Sequence, residues 1–268
     1  MTAARRVLTI TLVIVTSALT AAGLVFAATD SNATSNPSDS LALNGIAPQS
    51  SELHVSISTS QSYSASATVT INFATNAIEA NVQVPMVASS SGVDVRLVDH
   101  HVYVAMANLS ALFGASWLSA PVKQPSLQKL AEEMLHPDVA HVRGFTHATI
   151  TKNGSSTTYS YRRNNVVVAS PAGLALHLPA HVSLTLTVTT GSQGELTASS
   201  FSATSAHSSI SINSTVLAYN QSAQISVPPT RMVKPLDRSI VRQLLGTSPL
   251  ATLLTPRGLT SLGMVQLN

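Results

Sequence analysis

Val93, Val95 and Leu97 alternate with Asp94 and Arg96, and after Asp99-His100 a second run sets Val102, Val104 and Met106 against His101, Tyr103 and Ala105. A period of two is the strand period, so this stretch predicts a hairpin. With Asp99 and His100 as the loop, Val98 pairs with His101, Leu97 faces Val102, Val95 faces Val104 and Val93 faces Met106, all on one side. The other side carries Asp94, Arg96 and Tyr103, where the Arg96 guanidinium can lie on the ring opposite it. Asp-His is a poorer two-residue turn than Asn-Gly, although both residues tolerate positive φ.

The same period runs upstream and downstream. Ala67, Val69, Ile71 and Phe73 share one face, as do Ile78, Ala80, Val82 and Val84 after Thr75-Asn76, so residues from Glu52 onward predict an antiparallel meander with one apolar face. The period then changes. Asn108 is placed to cap a short helix ending at Gly114, and Ser126 to cap a helix whose Leu127, Leu130, Ala131, Met134 and Leu135 form one stripe before Pro137. That stripe needs an apolar partner, and the sheet face is the nearest one, so the helices are expected to lie across it. Strands resume with Asn153-Gly154, a hairpin signal whose register puts Ala148 and Ile150 on the face of Tyr159 and Tyr161. Further strands are expected over residues 166–169, 182–188, 208–219 and 223–227, with Pro228-Pro229 ending the sheet because proline cannot continue a ladder.

The two ends of the chain read differently. Arg5-Arg6 before an apolar run over residues 7–28 is an export signal, with Val25-Phe26-Ala27 offering small residues for cleavage. The run is long for a secretory signal and just long enough to span a bilayer, so residues 1–28 read as a cleaved leader or as an uncleaved membrane anchor. Residues 29–51, rich in Ser, Asn, Asp and Pro, read as a flexible linker, and residues 52–235 as the β domain. Residues 236–268 form an apolar tail with a helix expected over 238–245 and Gly246 as its stop.

Composition narrows the function. Of 268 residues 44% are apolar, enough for a real core, while only 9% are charged, which suits an exported β protein. Of the 14 basic residues, Arg5 and Arg6 belong to the leader, leaving the body close to balance with its 11 acids. Nucleic-acid binding needs a concentrated basic face, so none is expected. The absence of cysteine removes disulfides, thiolate metal sites and a lipid-bearing cysteine.

A Ser/Thr-rich sheet with Val102-Tyr103-Val104, a helical interruption beside Trp117 and a late Ile225-Ser226-Val227-Pro228 resembles the LprG and LppX type of actinobacterial envelope lipoproteins, whose fold is similar to that of LolA and LolB. The resemblance spans roughly residues 52–235. It implies a mainly β fold with covering helices (α+β), a curved antiparallel LolA-like half-barrel holding an apolar cavity that takes acyl chains. The lipidated cysteine usual in that family is missing, and the tail is extra.

Catalytic constellations are thin. Nine histidines make chemistry worth checking, but His136-Pro137-Asp138 with His141 sits at a helix end where a His meets the helix dipole, and His100-His101 form a hairpin tip. Ser126-Leu127-Gln128-Lys129 matches S-x-x-K without the companion elements, and Ser126 is better explained as a cap. Glu132 and Glu133 are adjacent and splay apart on a helix. The N-x-Ser/Thr triplets at Asn32, Asn108, Asn153, Asn213 and Asn220 are explained by composition, and Trp117 reads as core. The expectation is therefore a non-catalytic protein with no cofactor and no metal, a lipid or acyl-chain partner, and a place in the cell envelope. Its ligand would lie among Val69, Ile71, Phe73, Val82, Val84, Val93, Val95, Leu97, Val102, Val104, Met106, Leu130 and Met134. The alternative is a structural or sensing envelope domain with no ligand.

Overall fold

The structure, a computed structural model, describes residues 48–60, 64–83, 92–106, 109–122, 127–140, 142, 145, 147–166, 182–206 and 208–236. The expected leader, most of the linker, Val84, Asn108, Ser126, His141 and the tail beyond Leu236 lie outside them.

Two runs of neighbouring strands build one sheet. The first is β1 (Ser50–Thr59), β2 (Ser64–Asn72), β3 (Ala77–Gln83), β4 (Val93–Val98), β5 (His101–Ala105) and β6 (Trp117–Pro121); the second is β7 (Ala148–Asn153), β8 (Ser156–Val166), β9 (Val182–Thr190), β10 (Leu196–Thr204) and β11 (Ser209–Tyr219). They join where β1 pairs with β11 from Ser51↔Tyr219 to Thr59↔Ile210, with a bulge after Glu52. A short strand, β12 (Val233–Pro235), adds to β6 in parallel. The twelve strands run β12-β6-β5-β4-β3-β2-β1-β11-β10-β9-β8-β7, an order with two ends, so the sheet is not closed.

This order explains the interruption between the runs. β6 and β7 lie near opposite edges, so the chain between them must traverse the sheet. It does so over the inner face, and carries α2 (Gln128–Leu135) with it, after the short α1 (Leu109–Phe113). Leu127, Ala131 and Met134 of this crossing, together with Val142, share one core with Leu53, Val55, Ile57, Ala67, Val69, Ile71, Ile78, Val82, Val93 and Val95. The stripe expected for α2 is therefore the stripe that packs. Gly114 takes φ +68 and ends α1, its N–H donating to Ser110 O at 2.9 Å.

The 93–105 hairpin has the expected register: Val98↔His101, Leu97↔Val102, Arg96↔Tyr103 and Val95↔Val104. Asp99 and His100 both adopt positive φ, 50° and 60°, as a two-residue type I′ turn requires. Pairing stops at Asp94↔Ala105, one step short of Val93 and Met106. The second hairpin is displaced by one residue: Asn153 pairs with Ser156, leaving Gly154 (φ +59) and Ser155 as the loop. Its faces are unchanged, because moving the loop by one residue shifts the pairing by two, and Ala148 and Ile150 still face Tyr161 and Tyr159.

Two expectations fail near the end of the domain. Residues 223–227 are not a strand, and Pro228-Pro229 does not end the sheet. After β11 the chain turns at Asn220 (φ +57) and crosses the outer face as a strap. Its tie points advance strand by strand. Ser50 Oγ of β1 donates to Gln221 O, Asn72 Nδ2 of β2 to Ala223 O at 2.6 Å, and Arg96 Nη1 of β4 to Ser226 O at 3.1 Å, before β12 docks on β6. Ile225 and Val227 alternate as a strand would, yet the segment lies across the ladder rather than in it. The first strand, β1, begins at Ser50, two residues before Glu52.

Candidate functional site

The inner face is where the expected ligand-lining residues stand, and it divides into two parts. Val69, Ile71, Phe73, Val82, Val93, Val95 and Met134 are buried in the shared core. Leu97, Val102, Val104, Met106 and Leu130 are only half-buried, packed against the edge of that core. Val84 lies outside the described residues. Of the half-buried group, Leu97, Val102, Val104 and Met106 occupy β4, β5 and its continuation, and Leu130 stands on α2; Leu97↔Val102↔Ala120 and Val95↔Val104↔Leu118 form two rows that run out to β6, where Leu118 is buried.

The placement of α2 accounts for this division. At its start, Leu127 N–H donates to Asn76 Oδ1 at 2.7 Å, so the helix is tied by its N-terminus to the β2–β3 turn. At its other end, Ser51 Oγ of β1 meets Met134 Sδ at 3.9 Å and Tyr219 Oη of β11 donates to Met134 O at 3.4 Å. The helix thus has its ties over β3 through β11, while its Leu127, Ala131 and Met134 also share the core with Val93 and Val95 of β4. Eight residues at ~1.5 Å each make roughly 12 Å of helix, whereas twelve strands at ~4.8 Å spacing make a sheet roughly 50 Å wide. Beyond α2, Val139, Val142 and Phe145 continue the cover, with Phe145 edge-on to Tyr161 at 5.9 Å.

The Asn76 tie was not legible from the sequence, which points to Ser126 as the cap. A partner 51 positions away leaves no local signal. Asn76 itself sits at φ +54 in its turn, which aims its amide at the helix.

Buried polar atoms on this face are answered by carbonyls. Tyr219 Oη also donates to Leu196 O at 2.6 Å, and Tyr161 Oη to Val139 O. Burial, then the neighbouring Tyr159 and the charge of Asp138, pushes the Tyr161 phenol up to about 12. Tyr219 is raised further, by burial first and by Glu195 second. Both phenols stay protonated at neutral pH and serve as hydrogen-bond donors.

On the outer face the strap covers a second, smaller core of Ala77, Val98 and Tyr103, with Trp117, Ile225 and Val233 half-buried against it. Arg96 is its polar lock. Its Nε meets Glu79 Oε1 at 2.7 Å, and its Cζ stands 4.9 Å from the centroid of the Trp117 ring. The aromatic partner of Arg96 is therefore Trp117 on β6 rather than Tyr103 opposite it, which is buried in the small core.

His101 Nδ1 lies 2.9 Å from Asp99 O, and Asp138 Oδ1 accepts from Ala140 N–H at 3.2 Å. Among the described residues no three His, Asp or Glu side chains gather as metal ligands, and no helix is long and apolar enough to cross a membrane.

No family model matches this chain, and no curated protein matches it. Among solved structures, an uncharacterized conserved protein from Thermus thermophilus is similar at 7% identity and TM-score 0.37, covering 69% of this chain and 91% of that one. LprF from Mycobacterium bovis is similar at 13% identity and TM-score 0.32, covering 68% and 89%. A beta-barrel-like protein of a domain of unknown function from Brucella abortus is similar at 8% identity and TM-score 0.21, covering 65% and 98%. At these TM-scores the likeness carries no functional inference, and the site must be read from its own residues.

Proposed function

We propose that this chain is an extracytoplasmic, non-catalytic binder or carrier of a lipid or other apolar ligand. In this reading residues 1–28 are the leader or membrane anchor, residues 29–51 the linker, and the domain after them a LolA-like half-barrel facing the cell envelope. The observation that supports it is the half-buried apolar group of Leu97, Val102, Val104 and Met106 on the sheet and Leu130 on α2, packed against the edge of the core. An acyl chain lying on this group would extend the core. The buried members of the set, from Val69 to Met134, would form its floor.

The energetics favour a chain over a headgroup. Sixteen carbons at roughly 0.8 kcal/mol per buried methylene offer on the order of 10 kcal/mol before the cost of ordering them. The half-buried group holds no charge to compete with that. Lipid extracted from protein purified from its native membrane and identified by mass spectrometry is the direct test. Affinity of the delipidated protein should rise with chain length and change little with salt. Equal binding of short and long analogues, or of neither, refutes the reading.

A second reading has its own support. Seven of the thirteen expected lining residues are already buried against one another and α2, which is what a structural or sensing domain without a ligand requires. Native protein that carries no lipid and takes none up would favour it.

A further inference from the structure

β7 stands at one end of the twelve-strand order, and among the described residues no strand pairs with its outer edge. The hairpin that joins it to β8 fixes which backbone groups that edge presents. Its two-residue loop closes on Asn153↔Ser156, and the closing pair of such a loop exchanges both of its backbone hydrogen bonds. Bonded and non-bonded pairs alternate along an antiparallel ladder, so Asn153, Thr151 and Thr149 point their backbone at β8, while Lys152, Ile150 and Ala148 point theirs outward. A row of outward N–H and C=O groups is a template for another strand. Five of the six β7 residues are exposed, and the apolar Ile150, central among the three outward ones, is 58% exposed beside the half-buried Tyr159.

We propose that β7 pairs antiparallel with β7 of a second copy of this chain, across a twofold axis at Ile150, so that two open sheets become one. Among antiparallel registers this one alone engages all three outward residues of each copy, with Ile150 opposite Ile150 and Ala148 opposite Lys152 in both directions. Opposed residues send their side chains to the same face, so the two exposed isoleucines cover each other. A lysine on an edge strand ordinarily keeps other strands away. Here the register gives it a place. Lys152 of one copy lies beside the small Ala148 of the other, and Ala148 is paired with Tyr161, whose hydroxyl donates to Val139 O, next to Asp138 in the chain. The Asp138 charge acts on that phenol. Each ammonium is thus brought toward an acid of the opposite copy, from a strand about 10 Å from Tyr161, while the two lysines stay about 14 Å apart along the strands. The pairing is independent of what the inner face binds.

Sedimentation of the full chain over a concentration series should show a monomer–dimer equilibrium. Ile150→Pro removes an outward N–H and leaves the β7–β8 bonds in place, so it should weaken the dimer about tenfold or more. Lys152→Glu turns an attraction toward Asp138 into a repulsion and should weaken it about severalfold, less so as salt is added. A chain that stays monomeric overturns the proposal, as does a dimer that both substitutions leave unchanged. The absence of native cysteine gives a second readout of the register. Ile150→Cys places the two Cα atoms about 5.5 Å apart across the axis, within disulfide range. Lys152→Cys leaves them about 14 Å apart. With oxidised glutathione, Ile150→Cys should cross-link between copies about tenfold faster than Lys152→Cys, and a mixture of Ala148→Cys chains with Lys152→Cys chains should give the mixed disulfide. Equal rates for Ile150→Cys and Lys152→Cys, or no cross-link at Ile150→Cys, overturn the pairing whether or not the proline variant folds.

Discussion

The two faces of β5 are a contrast in a five-residue strand. On the inner face, Val102 and Val104 are half-buried although both are apolar; on the outer face, Tyr103 between them is buried. In β2 and β3 the relation is the ordinary one, with Val69, Ile71 and Val82 buried on the inner side and the polar Thr68, Thr70 and Asn81 outward. The difference is set by what crosses each face. The inner face is covered by a connection that must travel from β6 to β7, and its helix is fastened at the β2–β3 turn and at β1–β11. The outer face is covered by the strap after β11, which passes over β1, β2 and β4 and docks on β6.

The largest effect should come from the inner face. Val95→Asp puts a carboxylate into the core shared with Leu127, Ala131 and Met134, and should cost more than about 3 kcal/mol or unfold the domain. Val104→Asp, one strand over on the same row, should cost distinctly less, because a half-buried site lets the charge reach water. Thermal melts of the pair check this, and equal losses would mean that this part of the face is as closed as the rest.

The alternation over residues 93–105 made the hairpin register readable, since a two-residue loop leaves one pairing that keeps the valines together. The faces of β7 and β8 were readable despite a loop misplaced by one residue, because the resulting two-residue shift in pairing preserves which side chains share a side. The connections were harder. Pairing of β1 with β11 joins residues far apart in sequence, and no local pattern encodes it. Ile225 and Val227 carry strand alternation, but a strap lying on an apolar patch needs the same alternation as a strand in a ladder. Lining residues on β2 to β5 could be proposed from period alone; which of them are half-buried depends on where α2 is tied, and that rests on Asn76.

Asn76→Ala tests that tie. It leaves the Leu127 N–H without its acceptor at a buried residue and should cost about 1–2 kcal/mol. Hydrogen exchange in the first turn of α2 should quicken in the variant, whereas exchange in β12 on the other face should not change. Equal quickening in both would mean that inner and outer covers are coupled through the turn.

The tyrosines give the inner face a pH signature. Folded Tyr161 keeps its proton up to about 12 while the unfolded phenol releases it near its ordinary 10.0, and Tyr219 shifts in the same direction. Above pH 10 the unfolded state therefore binds fewer protons, so the contribution is fully present below pH 10 and is lost as pH rises through the folded values. Tyr161→Phe and Tyr219→Phe should each cost about 1 kcal/mol at neutral pH through the lost hydrogen bond. The double variant should also show a shallower fall in stability above pH 10 than the parent, and an unchanged slope would remove these phenols as its source.

The smallest effect is expected from the lock on the outer face, and it asks whether the strap is held by charge or by the small core beneath it. Arg96 touches Glu79, Trp117 and Ser226 O, but its side chain keeps a quarter of its exposure and that of Glu79 about a third, so solvent screens the pair. Exposed ion pairs contribute about 0–1 kcal/mol, and a guanidinium over a ring at such a site about 0.5–1. Double-mutant cycles of Arg96→Met with Glu79→Gln and with Trp117→Leu should each give a coupling below about 1 kcal/mol, the first shrinking as salt is added and the second changing less. Tyr103→Ala, by contrast, removes a buried ring from that core and should exceed either coupling. A coupling larger than the Tyr103 loss would make the outer cover an electrostatic clasp, and its retention would then depend on ionic strength in a way the inner cover's does not.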